Sequence, residues 1–406
     1  MKNSRNKQPL WTKDFLSISF TSFFLFIGFY ILLTTLPIYV LEDLHGDETE
    51  VGLIVSIFLI AAVICRPFTG KWVDELGRRK ILLIAMCIFS VSSFFYFWAD
   101  SLPLLLALRF LHGIGFGMAT TATGAIIADI IPNERKGEGL GYYATFMNLA
   151  MVIGPFTGLT LLQYASMTWI FILCTLLAFI ALLLSMFASI PASSPITNKE
   201  NKKISMSSFF EKGAIPVSIV IGILSFSYAG ILSFISIYAK QLDLLEVASF
   251  FFVVYATAIL VSRPFTGKWF DLYGENKIIY PSILLFAVGM FILSQANHSL
   301  TFLLAGAFIG LGYGTITPSL QTVAIKNADP SRRGLATSTF FTFLDAGIGL
   351  GSYVLGIIAV HSSLSSLYFL LTFVILFALI AYHLLHGLKL RKRQLAQSQT
   401  DLSINK

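Results

Sequence analysis

The chain has 406 residues, of which 56% are hydrophobic and only 12% charged, against about 25% charged in soluble domains. Its mean hydropathy is +0.79, and apolar runs of about 20 residues recur, each long enough to cross a hydrocarbon core of ~30 Å. This excludes a soluble enzyme. A formal net charge of +7 would suggest a nucleic-acid partner in a soluble chain, but here the basic loops between the apolar runs account for it.

Residues 1–14 are polar and basic, with Lys2, Arg5, Lys7 and Lys13. The apolar run 15–41 is too long for a signal-peptide core and lacks a small-residue cleavage site, so it reads as a retained first helix. Further spans are expected near 50–67, 81–99, 103–127, 139–163 and 167–189. A polar stretch, 190–213, follows and carries Pro191, Pro195, Lys199, Lys202, Lys203 and Lys212. Spans resume near 214–239, 247–265, 278–296, 300–325, 334–358 and 364–387. The alternating ten-residue strands of a membrane barrel are absent. The expected fold is an all-α integral membrane protein with twelve transmembrane helices in two pseudo-symmetric six-helix bundles. Residues 1–189 form the N-terminal half, 190–213 a cytoplasmic linker, 214–388 the C-terminal half and 389–406 a cytoplasmic tail. Cys65, Cys87 and Cys174 all lie in apolar segments and read as small core residues without a disulfide or metal role.

The two halves are copies. Residues 66–72 read Arg-Pro-Phe-Thr-Gly-Lys-Trp, and 263–269 repeat them without change. At the same offset of 197, Asp271 and Gly274 repeat Asp74 and Gly77, Arg332 repeats Arg135, Gly334 repeats Gly137 and Gly351 repeats Gly154. One register held over so long a stretch marks a tandem duplication of one large unit.

Loop charge alternates. Glu42, Asp43, Asp47, Glu48, Asp100, Asp243 and Glu246 fall in odd-numbered loops, with only Lys240 against them. Lys71, Arg78, Arg79, Lys80, Arg135, Lys136, Lys202, Lys203, Lys268, Lys277, Arg332 and Arg333 fall in even-numbered ones. Basic loops stay cytoplasmic, which puts both termini inside. Both halves start from the same side, so the repeats are parallel.

Two charges lie within spans. Arg109 sits about six residues from the outer end of helix 4. A charge there costs at least ~2.5–3.5 kcal/mol in lipid, so it is expected to face protein or a water-filled cavity. Asp345 lies about 11 residues into helix 11, or roughly 16 Å, near the midplane, and Asn148 is its repeat mate. Desolvation favours the neutral form of a carboxyl group, so Asp345 reads as a proton carrier, a substrate contact or a hydrogen-bonded structural acid. His112 is either titratable or structural. Arg66 and Arg263, at the inner ends of helices 2 and 8, either snorkel to headgroups or form a gating ion pair. Asp74 and Arg78, four apart, share a face if the loop is helical. Gly113, Gly115, Gly117 and Gly124, like Gly310, Gly312 and Gly314, suit close helix packing. Gly154-Pro155 is expected to bend helix 5; Ser352 replaces the proline in helix 11, which makes the bend one-sided.

The run Gly70-Lys71-Trp72-Val73-Asp74-Glu75-Leu76-Gly77-Arg78-Arg79-Lys80 resembles the signature loop of the major facilitator superfamily, and Gly267 to Lys277 resembles its degenerate second copy. Leu106 to Gly115, around Arg109, is similar to the fourth-helix arginine motif of proton-driven members, but has His112 where Gln is usual. Gly154-Pro155-Phe156-Thr157-Gly158 resembles the fifth-helix motif of the drug:proton antiporter branch, departing at Ala150 and Leu159. The resemblance covers essentially the whole chain. It implies that Asp74 engages the start of helix 11 near Gly334, that Arg109 tunes a protonation site, and that the helix 5 bend guards against proton leak. It also implies conformational roles for Gly70, Gly77, Arg78, Arg79, Gly267, Asp271 and Gly158. A cavity lined by helices 1, 4, 7 and 10 would draw on Tyr30, Thr34, Thr35, Thr120, Thr123, Tyr228, Tyr313, Thr317 and Gln321, with Asn148 from helix 5.

The function expected is proton-coupled efflux of a small organic compound or drug by alternating access in the plasma membrane. The rival is transport of a specific metabolite of the sugar or metallophore type, in either direction, which the lack of an acid inside helix 1 favours. The expected partners are the lipid bilayer, a small-molecule substrate and protons, with no nucleic acid. No cofactor is expected, the proton gradient serves as energy source, and the protein is expected to be a monomer. No catalytic triad, His-Glu-x-x-His metal motif or phosphate-binding loop is found, so neither an enzyme nor a primary pump is expected.

Overall fold

The computed structural model describes residues 9–132, 135–188, 210–328 and 333–388. Among these, twelve long helices carry the chain: α1 (Lys13–Glu42), α2 (Glu48–Leu76), α3 (Arg78–Phe95), α4 (Leu102–Ile130), α5 (Lys136–Tyr164), α6 (Met167–Phe187), α7 (Ile215–Gln241), α8 (Leu245–Tyr273), α9 (Asn276–Ser294), α10 (Ser299–Lys326), α11 (Arg333–His361) and α12 (Leu364–Tyr382). A π-helical turn, His383–Gly387, closes α12. Each helix contains a stretch long and apolar enough to cross a membrane. No strand occurs among the described residues, as expected where hydrocarbon offers no partner to an open sheet edge.

The duplication is visible in the helix boundaries. Glu48–Leu76 and Leu245–Tyr273 are displaced by 197 at both ends, and so are Lys136–Tyr164 and Arg333–His361. Local chemistry places these limits. Asp47 and Glu50 form a reciprocal capping box that starts α2. Gly77, at φ 93°, ends it, and Gly274, at φ 85°, stands after α8 in the same left-handed region. The signature loop is therefore not a separate loop. Helices α2 and α8 run through it as far as Leu76 and Tyr273. The condition for Asp74 and Arg78 to share a face, one helix running through both, is not met, because α2 ends at Leu76 and Arg78 opens α3 after Gly77.

Backbone contacts at glycines hold the helices together, and they repeat. A Cβ at Gly113 of α4 would lie 2.2 Å from the Phe58 carbonyl oxygen of α2; at Gly310 of α10 it would lie 2.3 Å from the Tyr255 carbonyl oxygen of α8. A Cβ at Gly115 would lie 2.7 Å from the Phe89 nitrogen of α3, and at Gly312 2.4 Å from the Phe286 nitrogen of α9. Each glycine meets the residue 197 positions from its mate's partner. In α5, Gly154 faces the Tyr30 Cβ at 2.7 Å, and in α11 Gly351 faces the Phe226 carbonyl at 2.6 Å. Helix α5 continues unbroken through Pro155.

The chain divides into two compact units. The first is Met1–Lys202 with Leu232–Val253 and Ser352–Val360; the second is Lys203–Ile231, Val254–Gly351 and His361–Lys406. In the first unit α1 packs on α5, α6 and α4, α2 on α4, and α3 on α4 and α6. It also takes in the ends of α7, α8 and α11. Gln163 donates to the Leu245 carbonyl at 3.0 Å, Phe156 and Phe250 stack edge to face at 5.7 Å, and Ser233 donates to the Ser352 hydroxyl at 2.9 Å. In the second unit α9 packs on α10 and α12. Residues 210–213, at the end of the expected linker, are packed there. The Glu211 amide donates to the Thr339 hydroxyl at 2.9 Å, and Gly213 abuts the Asn327 carbonyl.

Because a side chain at Gly113 or Gly310 would strike backbone, Gly113→Leu and Gly310→Leu should each lower stability by about 1–3 kcal/mol or more. Gly28→Ala should not, since nothing lies within 4 Å of its Cβ position. Thermal unfolding of the purified protein in detergent checks this, and equal melting temperatures across the three variants would contradict it.

Candidate functional site

In the first unit a buried cation sits among aromatic rings. Arg109 is 1% exposed. Its Nε donates to the Ile54 carbonyl of α2 at 3.1 Å, and its guanidinium carbon lies 4.1 Å from the Phe58 ring centroid, a cation–π contact strengthened by desolvation. Its Nη1 has no hydrogen-bond partner, and no carboxylate pairs with it among the described residues. One turn on, His112 is equally buried. Its Nδ1 shares a hydrogen bond with the Tyr96 hydroxyl at 3.1 Å, its ring lies 4.1 Å from Phe89, and its Nε2 is unpartnered. Helix α4 places both residues because close contact at Gly113 brings it against α2, and contact at Gly115 brings it against α3.

A second polar group in this unit joins three helices. Tyr143 of α5 shares a hydrogen bond with Ser22 of α1 at 2.8 Å and donates to Thr123 of α4 at 3.2 Å. The other cavity candidates here spend their hydroxyls on their own helix. Thr34 donates to the Tyr30 carbonyl at 3.0 Å, Thr35 to Ile31 at 2.8 Å and Thr120 to Phe116 at 2.9 Å, the back-bonding that satisfies Thr inside helices. Tyr30 packs its ring 5.0 Å from Phe29. The side chain of Asn148 lies outside the described residues.

In the second unit Asp345 is buried in α11, within electrostatic range of the Tyr313 hydroxyl. That hydroxyl shares a hydrogen bond with Ser225 at 3.0 Å. The Tyr313 ring lies parallel to Tyr228, centroids 4.0 Å apart at 11°, and Tyr228 in turn stacks on Tyr255 at 6.1 Å. Thr317 donates to the Tyr313 carbonyl at 3.1 Å, and Gln321 is half-buried one turn further on. The repeat mates of Tyr255 and Tyr313 are Phe58 and Phe116, whose rings are 5.2 Å apart in the first unit. The mates of Arg109 and His112 are Gly306 and Ile309. The cation and imidazole of the first unit thus have no counterpart at the same positions of the second, whose tyrosines stand where the first has phenylalanines.

At the end bearing the signature motif, Arg78 forms an ion pair with Asp129 at the close of α4, and Arg79 donates to the Met186 carbonyl at 3.1 Å. The mates of Arg78 and Asp129 are Glu275 and Lys326, with the signs exchanged. They do not simply reproduce the pair: Glu275 engages His386 at 2.5 Å, and the Lys326 ammonium sits 4.8 Å from the centroid of Phe270. Arg66 is half-buried and Arg263 exposed. The side chains of Asp74, Asp271, Gly267 and Gly334 lie outside the described residues, and so does the expected contact of Asp74 with helix 11. At the opposite end Glu42 pairs with Lys240 beside a cavity of about 250 Å³ that also borders Tyr39, Asp43 and Ser166. Burial there, with the neighbouring Glu42 carboxylate, holds the Asp43 carboxyl above its ordinary range.

The family profile of the Major Facilitator Superfamily matches residues 18–252 and again 217–403. The chain belongs to that superfamily. The quinolone resistance protein NorA of Staphylococcus aureus (strain COL) is 25% identical over 354 residues, covering 85% of this chain and 89% of that one. Multidrug resistance protein 1 of Bacillus subtilis (strain 168) is 27% identical over 356 residues, covering 84% and 89%. The crystal structure of nucleoside transporter NupG superposes with a TM-score of 0.72 at 14% identity, covering 91% of this chain and 98% of that one. This last likeness concerns the fold.

Several side chains in these clusters of the superfamily member carry no sequence signal. Tyr96, Tyr143, Ser22 and Tyr255 are uncharged residues in apolar helices, and only packing reveals their partners. Asp129 was findable, as an acid three residues before the turn residue Pro132, next to a loop where bases dominate.

The raised Asp43 pKa carries a sign. The folded state favours its protonated form, so the stability it contributes is present in acid and lost as pH rises through the folded-state pKa. Asp43→Asn should melt higher than the parent at neutral pH, with the difference closing as pH falls toward the carboxylate range. A difference independent of pH would refute the assignment.

Proposed function

We propose that this transporter exports a small organic compound in exchange for protons, by alternating access in the plasma membrane, as a monomer with both termini cytoplasmic. The observation that carries this reading is Asp345, a buried carboxyl group in the thirteenth position of the 29-residue α11. At 1.5 Å per residue that is about 18 Å from the helix start, near the midplane of a ~30 Å core. Intramembrane acids are expensive and mark ion or substrate pathways. Asp345 takes the role of proton carrier, with the Tyr313 hydroxyl, itself bonded to Ser225, within electrostatic range. Arg109, which no carboxylate neutralises among the described residues, sets the electrostatic bias of the first unit. The drug-resistance names of the relatives support the export direction and an organic substrate. One charge moved through 100 mV supplies ~2.3 kcal/mol, enough for roughly fiftyfold accumulation.

A second reading, a narrow transporter for one metabolite, is favoured by one observation. The only acids of α1 are Asp14 and Glu42, at its two ends, and its threonine hydroxyls at 34 and 35 are already satisfied. A cation-selective site in α1 has no carboxylate to use.

Energised inverted vesicles, an acid-sensitive dye and a panel of cationic, neutral and zwitterionic compounds separate the two. Under the first reading some compounds trigger proton release, and Asp345→Asn abolishes it while leaving the melting temperature of the purified protein within a few degrees, as expected for a well-tolerated isosteric change. Undiminished coupling in Asp345→Asn sinks the proton-carrier role. No release with any compound, alongside uptake or efflux of one physiological solute, supports the second reading.

A further inference from the structure

The heptapeptide 66–72 recurs unchanged at 263–269, yet of the eighteen residues that precede it in α2, Glu48 to Cys65, only Ala61 is repeated in α8. The helix has diverged where it packs and stayed constant here. Packing within the protein does not explain this. Phe68 and Trp72 are 56% and 37% exposed, and Phe265 and Trp269 are 55% and 46% exposed. In α8 Arg263 and Lys268 are exposed as well, while in α2 Arg66 is half-buried. A Cβ at Gly70 would meet nothing within 4 Å. Thr69 is buried, but its hydroxyl bonds only within its own helix, to the Cys65 carbonyl at 2.9 Å. The exposed rings nevertheless take up the same arrangement twice: Phe68 and Trp72 are 6.2 Å apart and tilted 34°, Phe265 and Trp269 6.0 Å apart and tilted 46°. Surface residues held constant in two diverged copies answer to something outside the protein that both copies meet.

Their depth identifies it. Helices α2 and α8 each run 29 residues, about 43 Å against a hydrocarbon core of ~30 Å, and the motif occupies the stretch about 27–36 Å from the start of each. The motif therefore straddles the headgroup layer, where indole rings settle and where arginine and lysine reach phosphate from an apolar stem. The basic loops place this end on the cytoplasmic side, where the leaflet carries anionic lipid. We infer that each copy of Arg-Pro-Phe-Thr-Gly-Lys-Trp is a binding site for the headgroup of an anionic phospholipid of the inner leaflet. In α8, Arg263 and Lys268 meet the phosphate and the Phe265–Trp269 pair lies against the acyl chain; α2 repeats the same residue types in the same order. The inference uses the orientation proposed above, but not the transport reading.

The test uses the full-length purified protein equilibrated with equal parts phosphatidylglycerol, phosphatidylethanolamine and phosphatidylcholine, with lipid retained through gel filtration counted by native mass spectrometry. It reads neither transport nor leaflet, so it stands apart from the proton-coupling experiment. Phosphatidylglycerol should be enriched over both other lipids. The double variant Arg263→Gln/Lys268→Gln should bind it at the α8 copy about fivefold more weakly for each cation removed and so lose about half the retained phosphatidylglycerol. Arg263→Lys should keep it. Trp269→Ala should weaken retention of all three lipids without altering their ratio. Equal retention of the three lipids by the parent protein, or phosphatidylglycerol retention unchanged in the double variant, overturns the proposal.

Discussion

Hydrocarbon gives helices no reason to associate by burying apolar surface, so everything in this protein depends on backbones that touch. Gly113 on Phe58 and Gly310 on Tyr255 are the two contacts that matter most. At such distances carbonyl and Cα atoms of neighbouring helices meet directly, and many small dispersion contacts add up where no side chain intervenes. The consequence is chemical as well as mechanical. Once α4 lies flat on α2, the residue one turn before Gly113 has nowhere to go but inward. That residue is Arg109, which is why its guanidinium ends on the Phe58 ring and the Ile54 carbonyl instead of reaching headgroups.

The same scaffold carries different chemistry in each half because duplication preserves backbone contacts more strictly than side chains. The second unit keeps every glycine contact of α10 yet places Gly306 and Ile309 where α4 has Arg109 and His112. It gains hydroxyls at Tyr255 and Tyr313, the places held by Phe58 and Phe116. A buried cation that pairs with no carboxylate among the described residues in one unit, and a carboxyl group near a tyrosine in the other, is a division of labour that two identical halves could not supply. It gives the proposed proton site a single location.

The spans, their number and the 197-residue offset were legible because hydropathy and repeated motifs are local properties of the sequence. The superfamily was legible from the signature loop. Polar partners were not. Thr123 could be singled out as a hydroxyl on helix 4, but nothing in the sequence says that Tyr143 and Ser22 will meet it, since that depends on three helices converging. The threonines at 34, 35 and 120 were cavity candidates by resemblance, but a helix interior offers each an i−4 carbonyl, and each bonds it. The loop misled for a related reason. Charge density and a Gly-x-x-x-Asp pattern suggested a connection between helices, but nothing in Lys71 to Leu76 breaks a helix, and the helix stops only where Gly77 takes a positive φ.

The helix ends that follow the two copies of the signature motif show how a constraint survives a change of sign. Arg78 and Asp129 hold the start of α3 to the end of α4. Their mates, Glu275 and Lys326, are reversed in charge, which keeps the possibility of attraction while changing which end of the pair is acidic. An acid at the start of a helix suits the positive end of its dipole, and a base at the end of one suits the negative end. Glu275 just before α9 and Lys326 in the last turn of α10 are both well placed in this sense, whereas Arg78 at the start of α3 and Asp129 near the end of α4 both oppose it. The first unit therefore depends on the ion pair itself to offset two unfavourable dipole placements. In the second each charge is stable without the other, which leaves Glu275 free to engage His386 and Lys326 to lie over Phe270. The pair that must stay together sits beside the intact copy of the signature motif; the pair that can part sits beside the degenerate one.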